Sequence, residues 1–280
     1  MLTLSRTVRF SVNPPGRRDA DLRGDANGYA AVPAMRGLGR HYEVTVICRG
    51  EPDPVTGYVV NIKDIDRAAR AAIVPRIIEA CDRRPEAEPG DVLADLAAAT
   101  DAALGGRVHS VRWSLSPYYS VEMVKTVPPV VLLRQRFDFA ASHRLHVAAL
   151  SDEQNRALFG KCNNPRGHGH NYQVEPCVAV RLGGGGVGER PPFALPQLER
   201  LVDEVLIRRF DHKHLNEDTP EFAAAPVAGG GAPTSVESIA KVFFDLLAPA
   251  IRRESPGPDG AELRSITVWE TDRTSSTYPG

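Results

Sequence analysis

The segment His168-Gly169-His170 holds two metal-ligating side chains at a spacing that chemistry can use. In a strand, side chains two apart point to the same face, so both imidazoles reach one ion, and Gly169 leaves no bulk between them. Neutral imidazole is a good zinc ligand, and three protein ligands with one open position is the catalytic arrangement. A third histidine is then needed, and His143, at the end of the neighbouring expected strand, is the natural candidate. The bland alternative for a lone His-x-His is a chance pair of surface histidines.

Cys162 lies just upstream, in Phe159-Gly160-Lys161-Cys162-Asn163-Asn164-Pro165. As packing it would be a small buried hydrophobe. The run Asn163 to Gly167 is loop chemistry, which predicts a partly exposed Cys162 close to the metal. Positive charge from Lys161, Arg166 and the ion would lower its pKa and make it a usable base or nucleophile. Asp211-His212 follows an expected helix end. It is either a solvated terminus, where histidine sits well against the dipole, or an Asp–His pair that moves protons to or from a base such as Cys162. Glu270, in the closing strand, either faces solvent or accepts two parallel hydrogen bonds from an amidine-like group. His146 and His214 have no such partners by spacing and read as ordinary surface residues.

The elements that must position these groups follow from periodicity. Val130 to Phe139 is β-branched and apolar and reads as a strand running into Ala140-Ala141-Ser142-His143. His168 to Leu182 reads as the next strand, with an edge or bulge expected at Pro176. Gly183 to Gly186 reads as a turn towards a hairpin partner near Phe193. Leu195, Leu198, Leu201, Val202, Val205 and Leu206 recur at helical spacing towards Phe210. Thr234-Ser235-Val236-Glu237 has the pattern of a capping box and announces a second helix. Arg264 to Thr271 alternates and closes the domain as a strand. The class is α+β, an antiparallel sheet with two helices packed on one face.

The order occurs twice. Arg36 to Tyr42 can be laid on Arg166 to Tyr172, Phe10 to Pro14 on Phe139 to His143, Cys81-Asp82-Arg83 on Phe210-Asp211-His212, and Ser110 to Leu115 on Ser265 to Glu270. In the first half Asp53 to Gly57 reads as a turn before a strand from Tyr58 to Ile62. Matches in one order over both halves predict a tandem duplication. The boundary falls at the prolines of Thr126-Val127-Pro128-Pro129, giving a copy at 1–127 and another at 128–280. Where the second copy has His143, Cys162, His168, His170, His212 and Glu270, the first has Pro14, Val32, Leu38, Arg40, Arg83 and Leu115. The first copy keeps the framework without the chemistry.

The whole chain has 280 residues, 42% hydrophobic and 25% charged, with a formal net charge of -1. That balance suits a soluble protein and gives no reason to expect nucleic acid or a membrane surface as partner. No apolar run approaches the roughly 20 residues of a membrane span, and MLTLSRTVRF lacks the apolar core of a signal peptide. A cytoplasmic location is expected. The 4 cysteines have no Cys-x-x-Cys spacing and read as thiols.

Phe-x-Ala-Ser-His, then Phe-Gly-Lys-Cys-Asn-Asn-Pro-x-Gly-His-Gly-His-Asn-Tyr, Asp-His-Lys-x-Leu, Pro-Thr-Ser-x-Glu and Glu-Thr-Asp together resemble the 6-pyruvoyl-tetrahydropterin synthase family, with its 6-carboxytetrahydropterin synthase relatives of queuosine biosynthesis. The likeness covers the second half, and more faintly the first at Gly50 to Gly57 and Asn61 to Ile65. It implies two tandem T-fold units in a homo-oligomer with sites between units. It also implies 7,8-dihydroneopterin triphosphate as the small-molecule substrate. Carried over, His143, His168 and His170 hold Zn2+, Cys162 is the general base, and Asp211 and His212 complete a proton-transfer triad. Glu270 anchors the pterin, with Thr234 near it. Lys161, Arg166 and Lys213 are candidates for the triphosphate on charge alone. The Asn163 to Gly167 spacer favours the pyruvoyl product. Departures are Pro176, the glycines from Gly183 and the long loop from Glu254 to Glu262. The competing readings are a non-catalytic pterin-binding or assembly protein, suggested by the degenerate first half, and a zinc hydrolase on another small molecule.

Overall fold

The computed structural model describes residues 1–14, 35, 37–126, 129–181, 193–223 and 231–280. Expectations for Val32, Arg36, Val127, Pro128 and the Gly183 to Gly186 turn lie outside the described residues. The chain divides into two compact units, Met1–Leu133 with Val180–Pro191, and Arg134–Ala179 with Pro192–Gly280.

In the first unit, β1 (Leu2–Val12) pairs antiparallel with β2 (Arg40–Gly50) along its whole length, from Leu2↔Gly50 to Val12↔Arg40. α1 (Ile62–Ala68) passes through a π-helical turn (Ala69–Ile73) into α2 (Val74–Arg83), and α3 (Pro89–Ala103) follows. β3 (Val108–Ser114) pairs with β2 and with β4 (Tyr119–Val124), completing an antiparallel order β1-β2-β3-β4. Alternation places Val8, Phe10, Val44, Val46, Val111, Trp113 and Val121 on one buried face. Ile65, Ile73, Ile77, Leu93 and Leu96 of the helices are buried with them.

The expected strand from Tyr58 to Ile62 does not form. Asp53 Oδ1 accepts the amides of Val55 and Thr56, closing the turn. Asn61 Oδ1 then accepts the Lys63 amide and starts α1 at Ile62. An N-cap asparagine satisfies an orphan helix donor, and that local bond outweighs the strand propensity of Val59 and Val60.

β5 (Val130–Gln135) stands at the break between the units. The strand expected to run unbroken to His143 is interrupted at Arg136, and β6 (Phe137–His143) is a separate strand. α4 (Asp152–Phe159), which periodicity did not reveal, is closed by a Ser151–Gln154 capping box and leads into a 3-10 turn (Gly160–Asn163). β7 (His168–Arg181) pairs with β6 in the register Phe139↔Tyr172, Ala141↔His170 and His143↔His168. It pairs on its other side with β9 (Glu262–Thr271), with a register shift between Cys177 and Val178, just after Pro176.

α5 (Leu195–Val202), a π-helical turn (Asp203–Ile207) and α6 (Arg208–Phe210) make one continuous amphipathic helix, which Asp211 ends. β8 (Lys213–His214) lies parallel to β6, and α7 (Leu215–Asp218) and α8 (Val236–Glu254) follow. β10 (Thr274–Pro279), unforeseen because Ser and Thr fill it, pairs with β9. Phe139 stacks on Tyr172 at 5.0 Å and meets Phe243 of α8 at 5.5 Å, while Phe210 lies 4.8 Å from Phe243. The helices therefore cover the face of the sheet that carries Phe139 and Tyr172.

The capping box expected at Thr234 and Glu237 is displaced by one residue. Ser235 is the N-cap, its hydroxyl accepting the Ser238 amide, and Thr234 turns inward with 2% exposure. Replacing an N-cap hydroxyl costs about 1 kcal/mol. Ser235→Ala is expected to lower unfolding stability by about that amount in urea denaturation, with no change in m-value.

Candidate metal centre

Strand pairing builds the centre. His143 stands directly opposite His168, and His170 opposite Ala141, whose small side chain leaves room above the sheet. The three ligand atoms lie within 4.8 Å of one another, with His143 fully buried. His143 Nε2 and His168 Nε2 are 3.2 Å apart, and the ring centroids of His168 and His170 are 4.8 Å apart. His143 Nδ1 donates to the carbonyl of Thr234 at 2.7 Å. That bond commits the proton to Nδ1 and leaves the Nε2 lone pair facing the cluster.

Burial lowers the pKa of His168, with the neighbouring His143 and His170 adding to the effect. Burial likewise lowers His170, against the opposing pull of Glu270. These two imidazoles therefore stay neutral below the usual histidine range, which is the state that binds a metal. Glu270, on β9, contacts His143 Nε2 at 3.3 Å and His170 Nε2 at 3.5 Å, both through Oε1. Its pKa is lowered, first by its contact with His143, in spite of burial. Lone pairs and a carboxylate converging on one point repel each other unless a cation lies between them. The donor set, three imidazoles with one already bonded through its other nitrogen, suits zinc.

Cys162 sits half-exposed on the 3-10 turn, and its carbonyl accepts the Leu145 amide at 2.9 Å, two residues beyond His143. The turn is thereby tied to the end of β6. Tyr172, edge-on to the His143 and His170 rings, has a hydroxyl without a hydrogen-bond partner among the described residues, and burial pushes its pKa up, with Glu270 and Cys162 contributing. Gly167 must be glycine: its φ is +71°, and a Cβ there would lie 2.5 Å from His214 Nε2 and 3.0 Å from the His143 carbonyl oxygen.

The Asp211-His212 pair is formed, with His212 Nδ1 2.8 Å from Asp211 Oδ2. Asp211 Oδ1 accepts the Ala140 amide at 2.8 Å, the main reason its carboxyl lies below the ordinary range. His212 donates its own amide to the Ala140 carbonyl and adopts φ 56°, a left-handed backbone that residues other than glycine rarely take. Its ring is 83% exposed, and among the described residues no hydrogen bond joins it to Cys162. It shares a depression of about 420 Å³ with His170, Asn171 and Lys213.

Of the two histidines read as ordinary surface residues, His146 is exposed and yet has a side-chain partner, and His214 is half-buried. His146 Nδ1 lies 3.1 Å from Asn163 Oδ1, and His214 packs against Gly167 with both ring nitrogens shielded and unbonded. Sequence spacing also missed Asn216 and Asn163, whose amides bind the segments around His143. Their position in the chain gives no periodic signal.

A family model described as 6-pyruvoyl tetrahydropterin synthase matches residues 132–280, more than half of the chain. The chain belongs to that family. Among curated proteins, it is 37% identical over 147 residues to the 6-pyruvoyl tetrahydrobiopterin synthase of Poecilia reticulata, covering 51% of this chain and 85% of that protein. It is also 37% identical over 151 residues to the human 6-pyruvoyl tetrahydrobiopterin synthase, covering 52% and 89%. A solved structure of Caenorhabditis elegans 6-pyruvoyl tetrahydropterin synthase aligns with a TM-score of 0.45 and 29% identity, over 54% of this chain and 96% of that one. This family member is an enzyme of the lyase class. Among the described residues no helix is long and apolar enough to cross a membrane.

Two substitutions test the centre. His168→Ala should weaken zinc binding by at least about tenfold, read by chelator competition, with far-UV circular dichroism unchanged. Gly167→Ala combines a strained left-handed backbone with a steric clash and is expected to cost about 1–3 kcal/mol, read as a lowered melting temperature.

Proposed function

We propose that this protein is a zinc-dependent pterin lyase. It would eliminate triphosphate from 7,8-dihydroneopterin triphosphate to give 6-pyruvoyl-tetrahydropterin, or, with further cleavage of a carbon–carbon bond that releases the two outer side-chain carbons as an aldehyde, the 6-carboxytetrahydropterin of queuosine biosynthesis. The observation that carries the reading is the convergence of His143, His168 and His170 beside the turn that holds Cys162, inside the family-matched segment. The pyruvoyl product is favoured by the Asn163 to Gly167 spacer and agrees with the names of the curated relatives.

The residues would divide the work as follows. Zinc held by the three imidazoles would supply Lewis acidity towards the side-chain oxygens of the substrate and acidify the adjacent carbon-bound hydrogens. Cys162, as thiolate, removes one of those protons while triphosphate departs with the electron pair of its carbon–oxygen bond. Asp211 holds the His212 ring through Nδ1 and orients its other nitrogen for proton exchange. Glu270 lies against the same cluster and accepts hydrogen bonds from the amidine-like edge of the pterin. Thr234, its hydroxyl donated to the Arg144 carbonyl, serves the site through its backbone beside His143.

The exposed His212 ring, unbonded to Cys162, supports a site completed between T-fold units in a homo-oligomer, a neighbouring copy bringing His212 to Cys162. The repeated register supports a tandem origin, with 1–127 as the degenerate copy and 128–280 as the catalytic one. Phe10↔Tyr42 and Val44↔Trp113 in the first unit match Phe139↔Tyr172 and Val174↔Val268 in the second.

Zinc-loaded protein incubated anaerobically with the substrate should release triphosphate and a tetrahydropterin whose mass identifies the product, and Cys162→Ala should lose at least about 100-fold in kcat. No turnover by folded, zinc-loaded protein would sink the lyase reading for this substrate and favour a pterin-binding role. Mixing inactive Cys162→Ala and His212→Ala chains under conditions that exchange subunits should restore activity, and no recovery would argue for a site within one copy.

A further inference from the structure

The end of β6 is held by a bond network that the catalytic assignment leaves unused. Asn216, at the start of α7, reaches across to Arg144, the residue after His143. Its Oδ1 accepts the Arg144 amide at 2.7 Å, and its Nδ2 donates to the Arg144 carbonyl at 3.1 Å. The same Nδ2 lies 3.3 Å from Thr234 Oγ1, which itself donates to the Arg144 carbonyl at 3.0 Å. The Thr234 carbonyl, in turn, accepts from His143 Nδ1 at 2.7 Å. One carboxamide therefore fastens three distant stretches of chain, β6, α7 and the entry to α8, around the buried face of one imidazole.

We propose that Asn216 is a positioning residue for the metal centre. By clamping Thr234 against Arg144 it holds the Thr234 carbonyl on His143 Nδ1, and so keeps His143 Nε2 directed at the cluster. The inference rests on the metal reading above and assigns that site a support outside the ligand set. The chemistry demands a carboxamide. An acceptor and a donor on one planar group satisfy both backbone groups of Arg144 at once. Aspartate retains the acceptor and loses the donor, and alanine loses both. Partners that orient a ligating histidine through its second nitrogen are commonly worth 10- to 100-fold in metal affinity. Asn216 acts one bond further out, through a backbone carbonyl whose residue it shares with the Thr234 hydroxyl's own bond to Arg144.

The test uses the full chain and cobalt(II) alone as probe, comparing wild type with Asn216→Ala, Asn216→Asp and Thr234→Val. Three quantities are read: affinity by chelator competition, the visible ligand-field spectrum of the bound ion, and the melting temperature of the metal-free protein. Asn216→Ala is expected to bind cobalt about 10- to 100-fold more weakly, with a shifted spectrum and a metal-free melting temperature within a few degrees of wild type. Asn216→Asp and Thr234→Val should show the same spectral shift to a smaller degree. Wild-type affinity and spectrum in the variants would overturn the proposal. A melting temperature that falls while the spectrum of the bound ion stays unchanged would also overturn it, since Asn216 would then be structural only. If Asn216→Ala does not fold, Asn216→Asp decides by the same criteria. A wild-type chain that takes up no cobalt would remove the metal reading itself, and this inference with it, an outcome separate from equal binding by wild type and variant.

Discussion

A slip of one residue in the pairing of β6 with β7 would turn every side chain of one strand to the opposite face of the sheet. His143 would then point away from His168 and His170, and the three imidazoles would not converge. What prevents the slip is apolar packing one turn of the pleat further in. Phe139 stacks on Tyr172 and meets Phe243 of α8, and all three rings are buried. Each such ring contributes roughly 1.5–3 kcal/mol by leaving water, and either would be lost to solvent in the shifted register. The register that buries the aromatics is the one that gathers the imidazoles.

The face shared by core and centre also explains the charge state of the site. The histidines occupy the rim of the same apolar layer, so burial is the largest influence on both His168 and His170 and keeps them neutral. Neutrality leaves lone pairs, and the bond from His143 Nδ1 to Thr234 decides which nitrogen offers one. Glu270 brings the only nearby carboxylate among the described contacts of the three rings, from the strand on the other side of β7. The first unit has a like strand pairing with different side chains. Arg40 pairs with Val12 at the register that Ala141 and His170 hold in the second unit. Its guanidinium, hydrogen-bonded to Cys81 and Tyr42, is a permanent cation and offers no lone pair to an ion.

Tight backbone geometry surrounds the centre. Gly167 and His212 both hold left-handed φ values, one where a Cβ would strike His214 and the other where the Asp211 cap and Ala140 grip the chain. A non-glycine residue in this conformation persists when its surroundings over-determine it, and such residues gather at functional positions. For His212 the surroundings are the two bonds to Ala140 that fasten the end of α6 to the edge of β6.

Much of the candidate site was legible in the sequence because its signals are local. His168-Gly169-His170 needs only the two-residue period of a strand, and Asp211-His212 only the end of an amphipathic helix. A like register in both units was legible too, since Phe10 pairs with Tyr42 as Phe139 pairs with Tyr172. Elements that depend on competition between local bonds were misread. Asn61 turned an apolar run into a helix start, Ser235 took the cap from Thr234, and Arg136 divided one expected strand into two. The roles of Asn216, Asn163, Thr234 and His214 are carried by contacts between segments far apart in the chain, for which no spacing rule exists. The amino-acid sequence by itself determined which side chains are chemically able to ligate or to exchange a proton. Tertiary structure decided which nitrogen of His143 faces the other two imidazoles and which chain segments hold it there, because those depend on hydrogen bonds made only once the sheet and helices have packed.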